Sequence, residues 1–400
     1  MMTEKIKTTE DCGFDRLVER YGTNSKKWDE CEARFGRKGL IPMWIADMDF
    51  MVPEEILRAF EHRISQGIFG YNTTPDSYSM AIVNWMERRH SWKVQKDWIC
   101  HSPGIVSALS FLLDTYTRKG DKVVIQSPVY YPFENCIRMS ERIVVNNPLK
   151  ESNGKFTMDL NDLKEKIDSE TRMIFLCSPH NPVGRVWTKT ELAEFAEICL
   201  SRNLIVVADE VHSDLIYKGF SQTCFATISE SIAQRSVICS GASKTFNLAG
   251  LKTSNVIIPN DDLREKFINT LTRYNVCSGN TFGLMATEVA YNQGEYWLDR
   301  LIEYIQGNLE YASKFFEEKI PNVRLIRPQG TYLLWLDFRR LGLNDRELAN
   351  FCLQEAKIAL DPGVEFGAEG SGYMRMNIAC RRSLLVEALE RLKEAVEKKK

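Results

Sequence analysis

One lysine stands where an amine could do covalent chemistry. Lys244 lies in Ser240-Gly-Ala-Ser-Lys-Thr-Phe-Asn-Leu-Ala-Gly250, just beyond the β-branched pair Val237-Ile238. Small residues let a ligand approach closely, and a lysine at the edge of a buried strand can form a Schiff base with a carbonyl compound. Taken alone, Ser-Lys-Thr reads better as a solvated loop. What turns the reading is four other segments, each at the carboxyl end of an expected strand or the start of a helix, where open α/β sheets bind ligands.

In Ser102-Pro-Gly104-Ile105-Val106 a glycine turn opens a helix, whose free N–H groups and dipole suit a phosphate. On its own it is a plain helix start. Pro128-Val-Tyr130-Tyr131-Pro132 follows a strand, so a ring could lie across a flat ligand; core packing would account for one tyrosine equally well. Ser178-Pro-His-Asn181-Pro-Val-Gly184 presents an amide stiffened by two prolines, or makes a simple turn. Ala208-Asp209-Glu-Val-His212 ends an apolar strand, and a carboxylate desolvated there needs a cation. A helix cap or structural ion pair is the alternative for Asp209, and a structural histidine for His212.

The elements that must position these residues are legible as short apolar runs at 123–126, 173–177, 204–208 and 236–239. Lacking clean alternation, they suit strands covered on both faces. Between the second and third, Thr188 with Glu191 forms a capping box for a helix ending near Ser201. Such βαβ units predict an α/β fold with a mostly parallel sheet flanked by helices. No G-x-G-x-x-G follows a strand, which disfavours a dinucleotide fold. Upstream, the first fifty residues read as irregular, followed by helices from Pro53 to about Gln66 and over 78–89, with a break at Gly67-Ile-Phe-Gly70-Tyr71-Asn72. Beyond residue 295 the pattern turns α+β: a charged helix over 296–318, a strand over 331–337, and a last helix with Leu384, Ala388, Leu392 and Val396 on one face. We expect a large domain over 53–295 and a smaller α+β domain built from 1–52 and 296–400.

Composition narrows the class. With 44% hydrophobic and 26% charged residues the 400-residue chain is an ordinary globular protein, and a net charge of −2 gives no general attraction to nucleic acid or anionic membrane. Met1-Met-Thr-Glu-Lys-Ile-Lys7 has no apolar signal core and no window is apolar for long enough to span a bilayer, so a soluble cytoplasmic protein is expected. Eleven cysteines without a C-x-x-C pair read as buried small hydrophobes in a reducing compartment, and five histidines without ligand spacing predict no metal site. Lys398-Lys-Lys400 reads as a frayed tail.

Together these motifs resemble the fold-type I pyridoxal-phosphate enzymes, the aspartate-aminotransferase superfamily, in the order glycine helix start, aromatic, N-P-x-G asparagine, D-E aspartate, lysine and a late arginine in Tyr373-Met-Arg375-Met-Asn377. Thr23-Asn-Ser-Lys-Lys-Trp28-Asp, Pro42-Met-Trp-Ile-Ala-Asp-Met-Asp-Phe50, Gly70-Tyr71, Ala208-Asp-Glu-Val-His-Ser-Asp214, Asn280-Thr-Phe-Gly283 and Gly330-Thr-Tyr-Leu-Leu-Trp-Leu-Asp337 resemble the MalY/PatB type of cystathionine β-lyases and cysteine C–S lyases. The resemblance implies pyridoxal 5'-phosphate on Lys244, which also serves as acid and base at the substrate Cα. It implies Asp209 at the pyridine nitrogen, Asn181 at the ring oxygen, Tyr130 on the ring, and Gly104, Ile105, Val106 and Ser243 at the phosphate. His212 stands where aminotransferases have a ring-oxygen tyrosine. Arg375 would hold the substrate carboxylate, with Tyr131 beside it, and Tyr71 would serve the site of the other subunit in a homodimer. Gly241 and Lys252 depart from the serine and arginine usual in aminotransferases, and Arg381 from the proline usual in this branch. The activity implied is β-elimination from a sulfur amino acid such as L-cystathionine or L-cysteine. An aminotransferase is the nearest alternative; a cofactor-binding regulatory protein is a third.

Overall fold

The computed structural model describes residues 12–399. Seven strands form the main sheet in the order Ile99–Ser102, Ser254–Ile257, Ser236–Ser240, Ile205–Asp209, Thr171–Cys177, Lys122–Ile125 and Ile143–Asn146. Only Ser254–Ile257 runs against the others. Alternate residues explain the unbroken apolar runs. Val207, Phe175 and Val237 face one core with the helices Ile105–Tyr116 and Asp261–Arg273, whereas Val206, Ile174 and Ile238 face another with Trp85, Phe195 and Ala290. With both faces covered, neither set of positions can be polar.

Local signals set the helices. Thr188 Oγ1 accepts from Glu191 N at 3.2 Å while Glu191 Oε2 accepts from Thr188 N at 2.9 Å, the reciprocal cap expected for Lys189–Ser201. The helix Glu54–Ser65 has Pro53 as its cap, and the next helix, Asp76–His90, begins two residues earlier than expected. In Asn280-Thr-Phe-Gly283, Asn280 Oδ1 caps Gly283 N at 2.7 Å, and a Cβ at Gly283 would overlap the Thr253 hydroxyl. That motif shapes the backbone.

A four-stranded antiparallel sheet follows in the order Arg324–Ile326, Leu333–Asp337, Tyr373–Asn377, Asp361–Pro362, packed with the helices Glu295–Lys319 and Arg382–Lys398. Its second strand begins at Leu333, two residues later than the apolar run suggests, because Thr331 turns left-handed at φ +68° and donates its N–H to Leu215 O at 2.7 Å. Leu384, Ala388, Leu392 and Val396 are all buried. The last helix continues through Lys398, so the lysine run is partly helical where a frayed tail was expected; Lys400 and the Met1–Lys7 stretch lie outside the described residues. Of the first fifty residues, those described, 12–50, are less irregular than expected. They hold a short helix, Cys31–Phe35, and a strand, Ile41–Pro42, which pairs in parallel with Ile358–Ala359. Nine of the eleven cysteines are buried; Cys12 is half-buried and Cys277 exposed. Among the described residues no helix is long and apolar enough to cross a membrane.

Candidate active site

Five parallel strands end on one edge of the main sheet, and each delivers one of the motifs there. After Ser102, Gly104 takes φ +104°, a left-handed geometry suited to glycine, and opens Ile105–Tyr116 without any side-chain cap. The first N–H groups of that helix, those of Ile105 and Val106 included, therefore remain open to an anion. After Ile125 the chain turns through Ser127 and Pro128 to Tyr130, half-buried, and Tyr131, exposed, with ring centroids 5.5 Å apart. Burial and the neighbouring Tyr131 push the Tyr130 phenol up. After Cys177 comes the Asn181 loop, pinned to the previous one by His180 Nε2 donating to Pro128 O at 2.9 Å.

The fourth strand ends on Asp209, only 5% exposed, and Val211 N donates to its Oδ1 at 3.2 Å. Among the described residues no ion pair holds this carboxylate. Burial pushes it up to about 6, against the pull of the Val211 N–H and of Lys244. The fifth strand leads into the short helix Ala242–Thr245, which carries half-buried Ser243 and Lys244. Lys244 Nζ donates to Ala46 O at 2.7 Å. Burial lowers its amine to about 8; Arg375 and Lys252 push the same way, and Asp47 and Asp209 oppose them. At neutral pH about a tenth is therefore free amine, far more than for an ordinary lysine, and able to attack a carbonyl or take a proton.

Arg375 arrives from the small sheet. It is 2% exposed, donates through Nη1 to Asn181 Oδ1 at 2.9 Å and through Nη2 to Trp44 O at 3.1 Å, and pairs with Asp361. Among the described residues its Nε has no hydrogen-bond partner, nor has Nδ1 of buried His212, whose ring meets Tyr332 edge-on at 5.8 Å. Burial, with Lys244 and Arg375 facing it, lowers the His212 imidazole to about 3, so it is neutral. The structure thus gathers Lys244, Asp209, His212, Asn181, Tyr130 and Arg375 within reach of one another's fields, with Tyr131 near Arg375. Tyr71 stands apart from them. Its ring is fully exposed at 111% on a loop held by Asn72 Nδ2 donating to Gly279 O at 2.9 Å.

Asp361 carries no sequence signal of its own. Tertiary contact brings it to Arg375, as it brings the carbonyls of Trp44 and Ala46, from the Pro42–Phe50 motif, to Arg375 and Lys244. Below the Lys244 turn, buried Asp214 accepts from Thr245 Oγ1 at 2.7 Å and Trp85 Nε1 at 3.1 Å, and its Oδ1 lies 2.8 Å from His90 Nε2. Asn247 clasps the amino-terminal segment through Met48 N, Met48 O and Phe50 O. Gly241 has a packing reason: a Cβ there would stand 3.3 Å from Ser254 Cα on the next strand.

The family model for aminotransferases of class I and II matches residues 38–392. The chain belongs to that family. Among class I and II relatives, cystathionine beta-lyase PatB of Bacillus subtilis (strain 168) is 43% identical over 384 residues, covering 96% of this chain and 99% of that protein. A PLP-bound protein from Clostridium difficile 630, provisionally designated an aminotransferase, superposes with a TM-score of 0.95 at 43% identity, over 96% of this chain and 100% of its own. Cystalysin from Treponema denticola, which contains pyridoxal 5'-phosphate, gives a TM-score of 0.94 at 36% identity over 97% and 99%. The fold is therefore that of the fold-type I enzymes.

Proposed function

We propose that this protein is a pyridoxal-phosphate-dependent C–S lyase that cleaves the Cβ–S bond of an L-β-thio amino acid, releasing a thiol, pyruvate and ammonia. The observation that carries the reading is Asp209, a buried carboxylate with no ion-pair partner among the described residues, set on the same sheet edge as a half-buried lysine in a chain 43% identical to a cystathionine beta-lyase. A pyridinium nitrogen answers that carboxylate. The uncapped start of Ile105–Tyr116 suits a phosphate, and the half-buried Tyr130 ring suits a flat ligand.

Bound there, pyridoxal phosphate supplies an electron sink that makes the substrate Cα–H acidic. The chain does the rest. Lys244 binds the cofactor, then takes the Cα proton as its neutral amine. Asp209 keeps positive charge at the ring nitrogen, and Asn181 and His212 line the ring beside it. Gly104, Ile105, Val106 and Ser243 hold the phosphate, with the Lys252 charge nearby. Arg375, fixed by Asn181 and Asp361, takes the substrate carboxylate through its fork. The sulfur then leaves Cβ as thiolate while the electron pair from the Cα–H bond forms the Cα–Cβ double bond, and water hydrolyses the released aminoacrylate to pyruvate and ammonia.

The same reading makes the protein a homodimer in which Tyr71 completes the partner's site, consistent with a fully exposed ring on an anchored loop. It places the protein in the cytoplasm. It also divides the chain into 53–295 and a unit of 1–52 with 296–400, which the pairing of Ile41–Pro42 with Ile358–Ala359 supports. The Clostridium difficile neighbour keeps an aminotransferase as the second reading. A substrate panel separates them. L-Cystathionine or L-cysteine should yield pyruvate and thiol without added keto acid; rapid exchange of alanine or aspartate with a keto acid, and no pyruvate, would replace the lyase by a transferase.

A further inference from the structure

The rim of the site carries a charge pair that chemistry at Cα and Cβ does not use. Arg34, on Cys31–Phe35, donates through Nη2 to both carboxylate oxygens of Glu365, each at 3.2 Å. Their side chains are 35% and 36% exposed. The Arg34 guanidinium lies over the Trp44 ring, 4.8 Å from its centroid, and Trp44 O is the acceptor for Arg375 Nη2. On the other side Phe366, next to Glu365, lies 4.7 Å below the Arg375 guanidinium and meets Tyr131 edge-on at 6.1 Å. Each member of the pair is thus one residue away from the arginine assigned to the substrate carboxylate.

A pair this exposed contributes little to stability. Its geometry suits a ligand better than a brace. Only one nitrogen of Arg34 is engaged by Glu365; among the described residues Nη1 and Nε have no hydrogen-bond partner. Stacking on Trp44 uses the face of the guanidinium and leaves its in-plane donors free, while fixing their orientation. A carboxylate could take that edge, and an ammonium beside it would meet Glu365. A neutral alkyl group would gain nothing from either.

We propose that Arg34 and Glu365 form a subsite for a second α-amino-acid group, the zwitterion at the far end of the leaving sulfur, with Arg34 binding its carboxylate and Glu365 its ammonium. The proposal rests on the elimination reading above and names its substrate class: thioethers and disulfides that carry an amino acid at both ends, in preference to cysteine or S-alkyl cysteines.

The test compares L-cystathionine with S-ethyl-L-cysteine, which presents the same Cβ–S bond without the far zwitterion, by pyruvate release from the holoenzyme. The quantity read is the ratio of the two kcat/KM values. Arg34→Gln should lower that ratio about tenfold, mainly through KM for cystathionine, as expected for loss of a partly solvated charge-assisted contact. Arg34→Lys should recover part of it, and Glu365→Gln should lower it by a smaller factor. A ratio within twofold of the parent in Arg34→Gln, or an equal loss on the two substrates, overturns the subsite while leaving elimination intact. A parent enzyme that releases pyruvate from neither substrate removes the elimination reading instead.

Discussion

Arg375 Nη1 and Asn181 Oδ1 lie 2.9 Å apart, so the arginine of the small antiparallel sheet is oriented by an amide from the edge of the large parallel one. The side chain assigned to substrate and the side chain assigned to cofactor therefore share a hydrogen bond. Asn181→Ala and Arg375→Ala should each lower kcat/KM by about 10- to 100-fold, the range of a buried charge-assisted bond. Their double variant should fall short of the product of the two losses. Strict multiplicativity in steady-state assays would show the two groups acting independently.

The Lys244 amine, lowered to about 8 chiefly by burial, titrates within reach of experiment. Only the deprotonated amine is nucleophilic, so modification of Lys244 in cofactor-free protein should rise with pH and reach half its maximum near 8. Ordinary surface lysines should lag by about two pH units. Competitive acylation followed by peptide mapping measures both at once; a Lys244 midpoint above 10 would contradict the environment described for it.

Asp209 has a raised carboxyl, about 6 against an ordinary value near 4. The folded state therefore binds more protons than the unfolded one between these values, and cofactor-free stability falls as pH rises through that window. Asp209→Asn should stabilise the cofactor-free protein above pH 6, by about 3 kcal/mol at most, with no gain below pH 4. In the holoenzyme the same change should weaken cofactor binding and cut turnover at least about 100-fold, since burial makes the lost charge costly. Thermal melts across pH and cofactor titration provide the two readouts, and Asp209→Glu should recover part of the turnover.

Tyr71 supplies a test of assembly. Inactive Tyr71→Phe subunits mixed with inactive Lys244→Ala subunits should regain activity, up to about a quarter of the parent level for random exchange with one intact site per mixed dimer. Native mass spectrometry would establish the exchange. Mixed dimers without activity would mean that each site is completed by its own chain.

What could be read from the sequence follows the range of the forces involved. Thr188 and Glu191 satisfy each other's backbone within one turn, so that helix start is local information. The strands were legible because both faces are covered, and with them the edge where Asp209 and Lys244 emerge. Asp361 was not: a carboxylate before a proline looks like any turn until Tyr373–Asn377 places Arg375 against it. The left-handed Thr331 was hidden for the same reason, since its N–H goes to Leu215, on a distant segment. Tyr71 is singled out by resemblance alone: its ring is fully exposed, and its service to a second site is a proposal.

The pairing of Ile41–Pro42 with Ile358–Ala359 sets an order of events during synthesis. The segment that supplies the Ala46 carbonyl to Lys244 is made well before its strand partner at Ile358–Ala359, which lies beyond every strand of the main sheet in the chain. Until then the sheet edge can assemble from consecutive βαβ units while the amino-terminal strap waits, its closure entropy still unspent. Lys244 can thus reach its sheet edge before the strap that carries its Ala46 acceptor is anchored, and only the later strand fixes that acceptor beside the amine.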